Sequence, residues 1–179
     1  MNTHITYHAG AVENNGFAYL FVSPTRGGKS TLIAYLVERG FIFINDDYVS
    51  IDLDTYYVKP HIAPIHLRLD SITILKKNGC NIQGSYDNIG RMVYVPEVAA
   101  VNELPIGRIF FIKRSFTENQ CTPLPKAESV QLLMQNLFYE NDVNSQALRC
   151  AIDLADKCNL LVYSNLSYVA DIMERTIYG

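Results

Sequence analysis

The 179-residue chain has no apolar run that could cross a bilayer: its longest, Phe17 to Val22 and Phe41 to Ile44, fall far short of the ~20 residues needed. The start, Met1 to Ile5, lacks a basic stretch followed by an apolar one, so no secretory signal is expected and a cytoplasmic location is. The four cysteines (Cys80, Cys121, Cys150 and Cys158) contain no Cys-x-x-Cys pair, which removes the spacing of a zinc site and leaves reduced thiols as the reading. Positive charge is not in excess either. A net charge of −3 and a pI near 5.8 argue against a broad nucleic-acid surface. No internal repeat or low-complexity tract interrupts the chain. What remains is 49% hydrophobic and 18% charged, the composition of a globular protein rather than a disordered one. Its length fits a single domain, 1–179, that can bury a core.

Hydrophobic patterning predicts the order of elements. His4 to Val12 reads as a strand, Glu13-Asn14-Asn15-Gly16 as a hairpin turn, and Phe17 to Val22 as a strand covered on both faces. After a loop over Pro24 to Gly28 the pattern turns helical, with Leu32, Ile33, Leu36 and Val37 on one face and Gly40 as the stop. Phe41 to Ile44 is the next strand, ending at Asn45-Asp46-Asp47. Strand, loop, helix and strand in this order predict a βαβ unit with its two strands paired in parallel.

The middle is less regular. Tyr56 to Val58, Ser71 to Leu75 and Met92 to Val95 have strand character, while Lys76 to Asn88 is polar and glycine-containing and reads as a mobile loop. Ile106 to Lys113 reads as a buried strand, Ala127 to Tyr139 and Val143 to Lys157 as helices, Leu160 to Tyr163 as a strand, and Ser167 to Ile177 as a closing helix.

Gly27-Gly28-Lys29-Ser30-Thr31 carries the clearest chemistry. A P-loop reads Gly-x-x-x-x-Gly-Lys-Ser/Thr between a strand and a helix. Successive backbone N–H groups there form an anion nest, and the helix N-terminus adds partial positive charge. Lys29 would reach the β- and γ-phosphates, and the Ser30 hydroxyl would hold a magnesium ion bridging them. The first glycine of the pattern falls on Ser23, and Pro24 removes one backbone donor. A bare Gly-Lys-Ser on a solvated turn is common, but here it lies between a buried strand and a helix.

Asp46 and Asp47 follow the second strand, and the carboxyl ends of parallel strands face the ligand crevice in α/β folds. Two carboxylates there can hold magnesium or accept the proton of an attacking hydroxyl. Asn-Asp-Asp is also ordinary turn composition. His8, alone in an apolar stretch, reads first as a hydrogen-bonded core residue, and His4, His61 and His66 as structural.

Taken together and in order, His8-Ala9-Gly10-Ala11-Val12, the turn at Asn15-Gly16, Gly28-Lys29-Ser30, Glu38-Arg39-Gly40 and Asp46-Asp47 resemble the HPr serine kinase/phosphorylase family and its shorter relatives. The resemblance covers about His8 to Ser50 and is fainter over Leu104 to Arg114 and Leu124 to Glu140. It implies an α/β, P-loop NTPase-like domain of the HPr kinase catalytic-domain type, with a mixed sheet and flanking helices. It also implies ATP and Mg2+ as cofactors. Carried over, Thr25, Arg26, Gly27, Gly28, Lys29, Ser30 and Thr31 bind the nucleotide, and Ser30 and Asp47 bind the metal. Asp47 is the base for the acceptor hydroxyl, and His8 supports the site with Asp46 adjacent. Ser23 and Arg26 replace two loop glycines, while Thr25 keeps a hydroxyl where the family has serine. The family's Glu-x-Arg-Gly-x-Gly signature, which supplies a second magnesium ligand, is missing. Its nearest counterpart, Ile65-His66-Leu67-Arg68-Leu69-Asp70, keeps the arginine.

The resemblance therefore implies a phosphotransferase acting on a peptide or small-molecule hydroxyl other than HPr, with Arg26, Arg68 or Arg91 neutralising charge. A non-catalytic ATP-binding sensor or assembly module is the alternative, and an unrelated P-loop fold such as a nucleoside kinase is the third. The oligomeric state is not legible in the sequence: full-length relatives assemble through this domain, which leaves a homo-oligomer open, and Tyr56, Tyr57, Tyr86 and Tyr94 could serve either such a contact or the core.

Overall fold

Strand β3 (Phe17–Val22) shows why this chain builds layers on both sides of a sheet. Tyr19 and Phe21 join one hydrophobic cluster, while Ala18, Leu20 and Val22 join another, as the two-residue period of a strand requires. The computed structural model describes residues 3–24, 26–138 and 143–175, and the elements below are those of the described residues.

The remaining strands are β1 (His4–Tyr7), β2 (Ala9–Asn14), β4 (Ile42–Asn45), β5 (Val49–Asp52), β6 (Tyr57–Lys59), β7 (Ile65–Leu67), β8 (Ser85–Tyr86), β9 (Met92–Tyr94), β10 (Leu104–Arg114), β11 (Gln120–Pro123) and β12 (Cys158–Tyr163). The helices are α1 (Lys29–Glu38), α2 (Leu69–Lys77), α3 (Lys126–Gln135), α4 (Ser145–Leu154) and α5 (Leu166–Arg175), with a single 3-10 turn at Ala155–Lys157.

The central ladder runs β4-β2-β3-β10-β12-β11. Strands β3, β10 and β12 are parallel, and β2 and β11 are antiparallel to their neighbours. The long strand β10 also pairs through Leu104 and Pro105 with β6, which continues the sheet antiparallel through β5 to β1. A separate small sheet is ordered β7-β9-β8. One core cluster draws on α1, α2 and α5, and the other on α3 and α4, so helices flank the sheet on both faces. This is the mixed α/β architecture expected.

Several expectations need correction. The predicted parallel pair of the βαβ unit does not exist: β3 and β4 run in the same direction, but β2 lies between them and pairs antiparallel with both. Gly10 on β2 is where α1 crosses, since a Cβ there would lie 2.7 Å from Ile33 Cγ1. The predicted first strand breaks at His8. Ser71 to Leu75, read as a strand, is the interior of α2, which buries Ile72 and Leu75 at helical spacing. The presumed mobile loop contains the end of α2, strand β8 and two buried anchors, Cys80 and Ile82.

Helix α1 is buried continuously from Thr31 to Leu36 rather than on one face, because α2, α5 and β7 cover the side turned away from the sheet. Gly40 does end it: at φ 96° it donates to Val37 O at 2.9 Å, while Phe41 N reaches Leu36 O at 3.1 Å, a Schellman cap. Tyr94 is buried, whereas Tyr57 and Tyr86 are exposed and the Tyr56 hydroxyl donates to Asp153. Tyr139 and Ile177, assigned to helices from sequence, lie outside the described residues.

Candidate functional site

The parallel strands end on one edge of the sheet, and that edge collects most of the residues singled out above. Val22 at the end of β3 lies in register with Ala9 of β2 and Phe111 of β10, while Arg114 closes β10 opposite Tyr163 of β12. Asn45 ends β4 opposite Ala11, so Asp46 and Asp47 emerge on the same edge as the loop after β3.

The loop turns tightly. Arg26 has φ 67° and Gly28 φ 95°, a left-handed pair flanking Gly27, whose N–H donates to Pro24 O at 2.9 Å. Gly27 has no space for a side chain, since a Cβ would collide with Ser23. At Gly28 the positive φ favours glycine, and a Cβ would press on Arg114 Cδ and the Tyr163 hydroxyl, each 3.2 Å away. Thr25 lies outside the described residues.

Lys29 is 7% exposed, and its Nζ donates to Ser23 O at 3.0 Å and lies 3.3 Å from His8 Nδ1. Burial, then the Lys29 charge, lower the His8 pKa, which keeps an imidazole lone pair available to accept from the ammonium. The His8 backbone N–H donates to Asn136 O at 2.9 Å, and its ring stacks on Phe138 at 6.2 Å. The isolated histidine of the sequence is thus tied to the lysine.

The two aspartates differ sharply. Asn45 Oδ1 accepts from Asp46 N at 2.6 Å, taking the turn-forming role that the Asn-Asp-Asp composition suggested. Asp46 is 4% exposed, and its Oδ1 has no hydrogen-bond partner among the described residues. Burial pushes its pKa up to about 7; the Ser30 side chain opposes this, Asp47 adds to it and Lys29 opposes it. Lys29 is itself lowered by burial despite both aspartates, so both members of this buried pair are drawn toward their neutral forms. Asp47 is exposed.

These groups line a crevice of about 200 Å³. His8, Arg26, Gly27, Gly28, Lys29, Ser30, Thr31, Asp46 and Asp47 all face it, as do Arg68 and Arg91. Sequence reasoning missed His66, Asp70, Ser71 and Arg114, which face it too. Arg114 stands at the carboxyl end of a buried parallel strand, a position rule that could have found it. Asp87, held below the ordinary carboxylate range at about 2 by the Arg91 backbone N–H and side chain, anchors Arg91 at 2.8 Å and lies 3.3 Å from His66 Nδ1. The Thr31 hydroxyl donates to Ser71 Oγ at 2.8 Å, linking α1 to α2.

A second cavity of about 220 Å³ adjoins the crevice and shares Gly28, Thr31, Ile74 and Arg114 with it. A larger cavity, about 510 Å³, opens at the far end of α1 beside Glu38, Tyr94 and Val98.

Among the described residues no three His, Cys, Asp or Glu side chains cluster as a metal site, and no helix is long and apolar enough to cross a membrane. No family model and no curated protein sequence matches the chain. Among solved structures, the Hpr(Ser) kinase/phosphatase from Coxiella burnetii is similar over 97% of this chain and 99% of its own, at 12% identity and a TM-score of 0.44. That likeness is a distant structural relationship.

Proposed function

We propose that the chain binds ATP with Mg2+ at the loop 23–31 and transfers the terminal phosphoryl group to a hydroxyl of a peptide or small molecule. The observation that carries the reading is Asp46: a buried carboxylate oxygen without a hydrogen-bond partner among the described residues, beside Ser30 and Lys29, in a crevice that Gly27 and Gly28 also line. An orphaned buried acceptor needs a cation or a proton.

A magnesium ion fits this donor set, because Mg2+ is usually held by one or two protein oxygens with phosphates and water completing its shell. Ser30 and Asp46 would hold it, a reassignment from Ser30 and Asp47 that follows from burial. Bound there, the ion supplies charge neutralisation to the phosphates. Lys29 and the loop N–H groups orient the β- and γ-phosphates, with Arg26 and Arg114 at the rim. The exposed Asp47 takes the acceptor's hydroxyl proton as that oxygen bonds to the γ-phosphorus and the bond from phosphorus to the ADP oxygen breaks. His8 holds Lys29 in place.

Calorimetric titration with ATP, ADP and GTP, with and without magnesium, tests the reading. Magnesium-dependent binding is expected, and a chain that binds none of the three overturns it.

A second reading, nucleotide binding without transfer, is favoured by one feature. Strand β7 and the residue after it present His66 and Arg68 to the crevice, and the stretch 65–70 lacks the glutamate of the family signature it resembles. Tight ATP binding with no transfer or hydrolysis under any acceptor supports that reading.

A further inference from the structure

The crevice and the adjoining cavity divide the chemistry unevenly. Asp46, Asp47, His8, His66 and Arg68 face only the first lobe, so the acceptor and the transferred group belong there. The second lobe has no acidic group. It is lined by the apolar Ile74 and Leu166, by the amides of Asn78 and Asn165, and by Tyr163 and Ser164. Apolar walls with a few amide edges suit a flat heterocycle that needs both stacking area and hydrogen-bond partners. The two lobes meet at Gly28 and Arg114, at the start of α1.

We infer that the nucleoside of the bound nucleotide occupies this second lobe, between the end of α2 and the start of α5, with its phosphates passing over Gly28 into the first. The inference rests on the proposed phosphate-binding role of the loop. It adds where the base lies and which side chains read it. Each lobe alone is small at about 200 and 220 Å³; as one continuous crevice they come within the range of about 300–1,000 Å³ common for small-ligand sites. Asn78 Nδ2 already donates to Ile74 O, and Asn165 Oδ1 already accepts from Ser167 Oγ and Tyr168 N. That leaves Asn78 Oδ1 as the amide acceptor toward a base amino group.

The test compares ATP with inorganic tripolyphosphate, both with magnesium, by calorimetry. The unsubstituted chain should bind ATP at least about tenfold more tightly than tripolyphosphate. Asn78→Trp and Ser164→Phe, which fill the second lobe, should remove that advantage while leaving tripolyphosphate affinity within about threefold. Equal affinity of the unsubstituted chain for the two probes overturns the inference and leaves the phosphate loop standing. Loss of both probes together in folded variants, or an ATP advantage that survives both substitutions, also overturns it. Failure of the unsubstituted chain to bind either probe overturns the phosphate-loop reading and this inference with it.

Discussion

Helix α1 has a cavity at each end, and the larger one is at its carboxyl terminus. There, Glu38 is fully engaged: Oε1 accepts from the Tyr94 hydroxyl at 2.7 Å and Oε2 from Asn81 N at 3.1 Å. At the amino terminus the lobe that holds the loop and the aspartates has less than half that volume. Yet it has a left-handed glycine turn, a buried lysine, and a carboxylate oxygen with no partner among the described residues. Volume measures room, whereas an unsatisfied buried acceptor beside oriented N–H groups marks unfinished chemistry. The helix dipole agrees, since its amino end favours a polyphosphate and its carboxyl end does not.

Substitutions at the two ends sharpen or break this contrast. The largest effect is expected from Asp47→Asn. If the amino-terminal end performs transfer, a phosphotransfer assay should lose about a thousandfold in rate, with ATP affinity nearly unchanged. Full activity in that variant assigns the base elsewhere. Lys29→Ala should weaken ATP binding about a hundredfold by calorimetry, since charge-assisted contacts to phosphate are the strong ones. Unaltered affinity would remove the distinction between the two ends.

Asp46→Asn makes a prediction about stability. The folded pKa of Asp46 lies near 7, above the ordinary 3.8, so its contribution to stability is complete below about 3.8 and is lost as pH rises through about 7. In metal-free buffer at pH 8 the Asn variant should therefore be more stable by about 4 kcal/mol, and the gap should shrink toward pH 4. Urea unfolding at the two pH values measures this, and a gap independent of pH excludes Asp46 as the titrating group. The smallest effect belongs to the other end of α1. Tyr94→Phe should cost about 1 kcal/mol in urea unfolding, the worth of one hydrogen bond, and leave ATP affinity unchanged. A change in affinity there would mean the two ends communicate.

The sequence made the segment from β3 to Asp47 legible because each piece had a local cause: an apolar run, a Gly-Lys-Ser turn, a helical period and a glycine stop. It failed where pairing is non-local. Nothing in Ala9–Asn14 or Ile42–Asn45 states that one will lie against the other, and the expected parallel pair followed from chain order alone. Helix α2 was misread because Ile72, Thr73 and Ile74 are β-branched or flanked by β-branched residues, a strand signature. Asp70 in its first turn and Lys76 and Lys77 in its last are the dipole-matched charges that mark a helix and would have corrected it. In the site, the loop and the aspartates were visible as motifs. Arg114, His66 and Ser71 were not, since each arrives from a distant element. The partnership of His8 with Lys29 spans 21 residues and has no local signal.

The antiparallel strand β2 inserted between β3 and β4 acts as a ruler. Two inter-strand steps of about 4.8 Å separate the strand that feeds the lysine turn from the strand that delivers the carboxylates. That gap of about 10 Å is set by peptide hydrogen bonds, which side-chain replacement leaves alone. The working distance of the site is therefore written into the main chain, and it can outlast extensive drift in the letters that surround it.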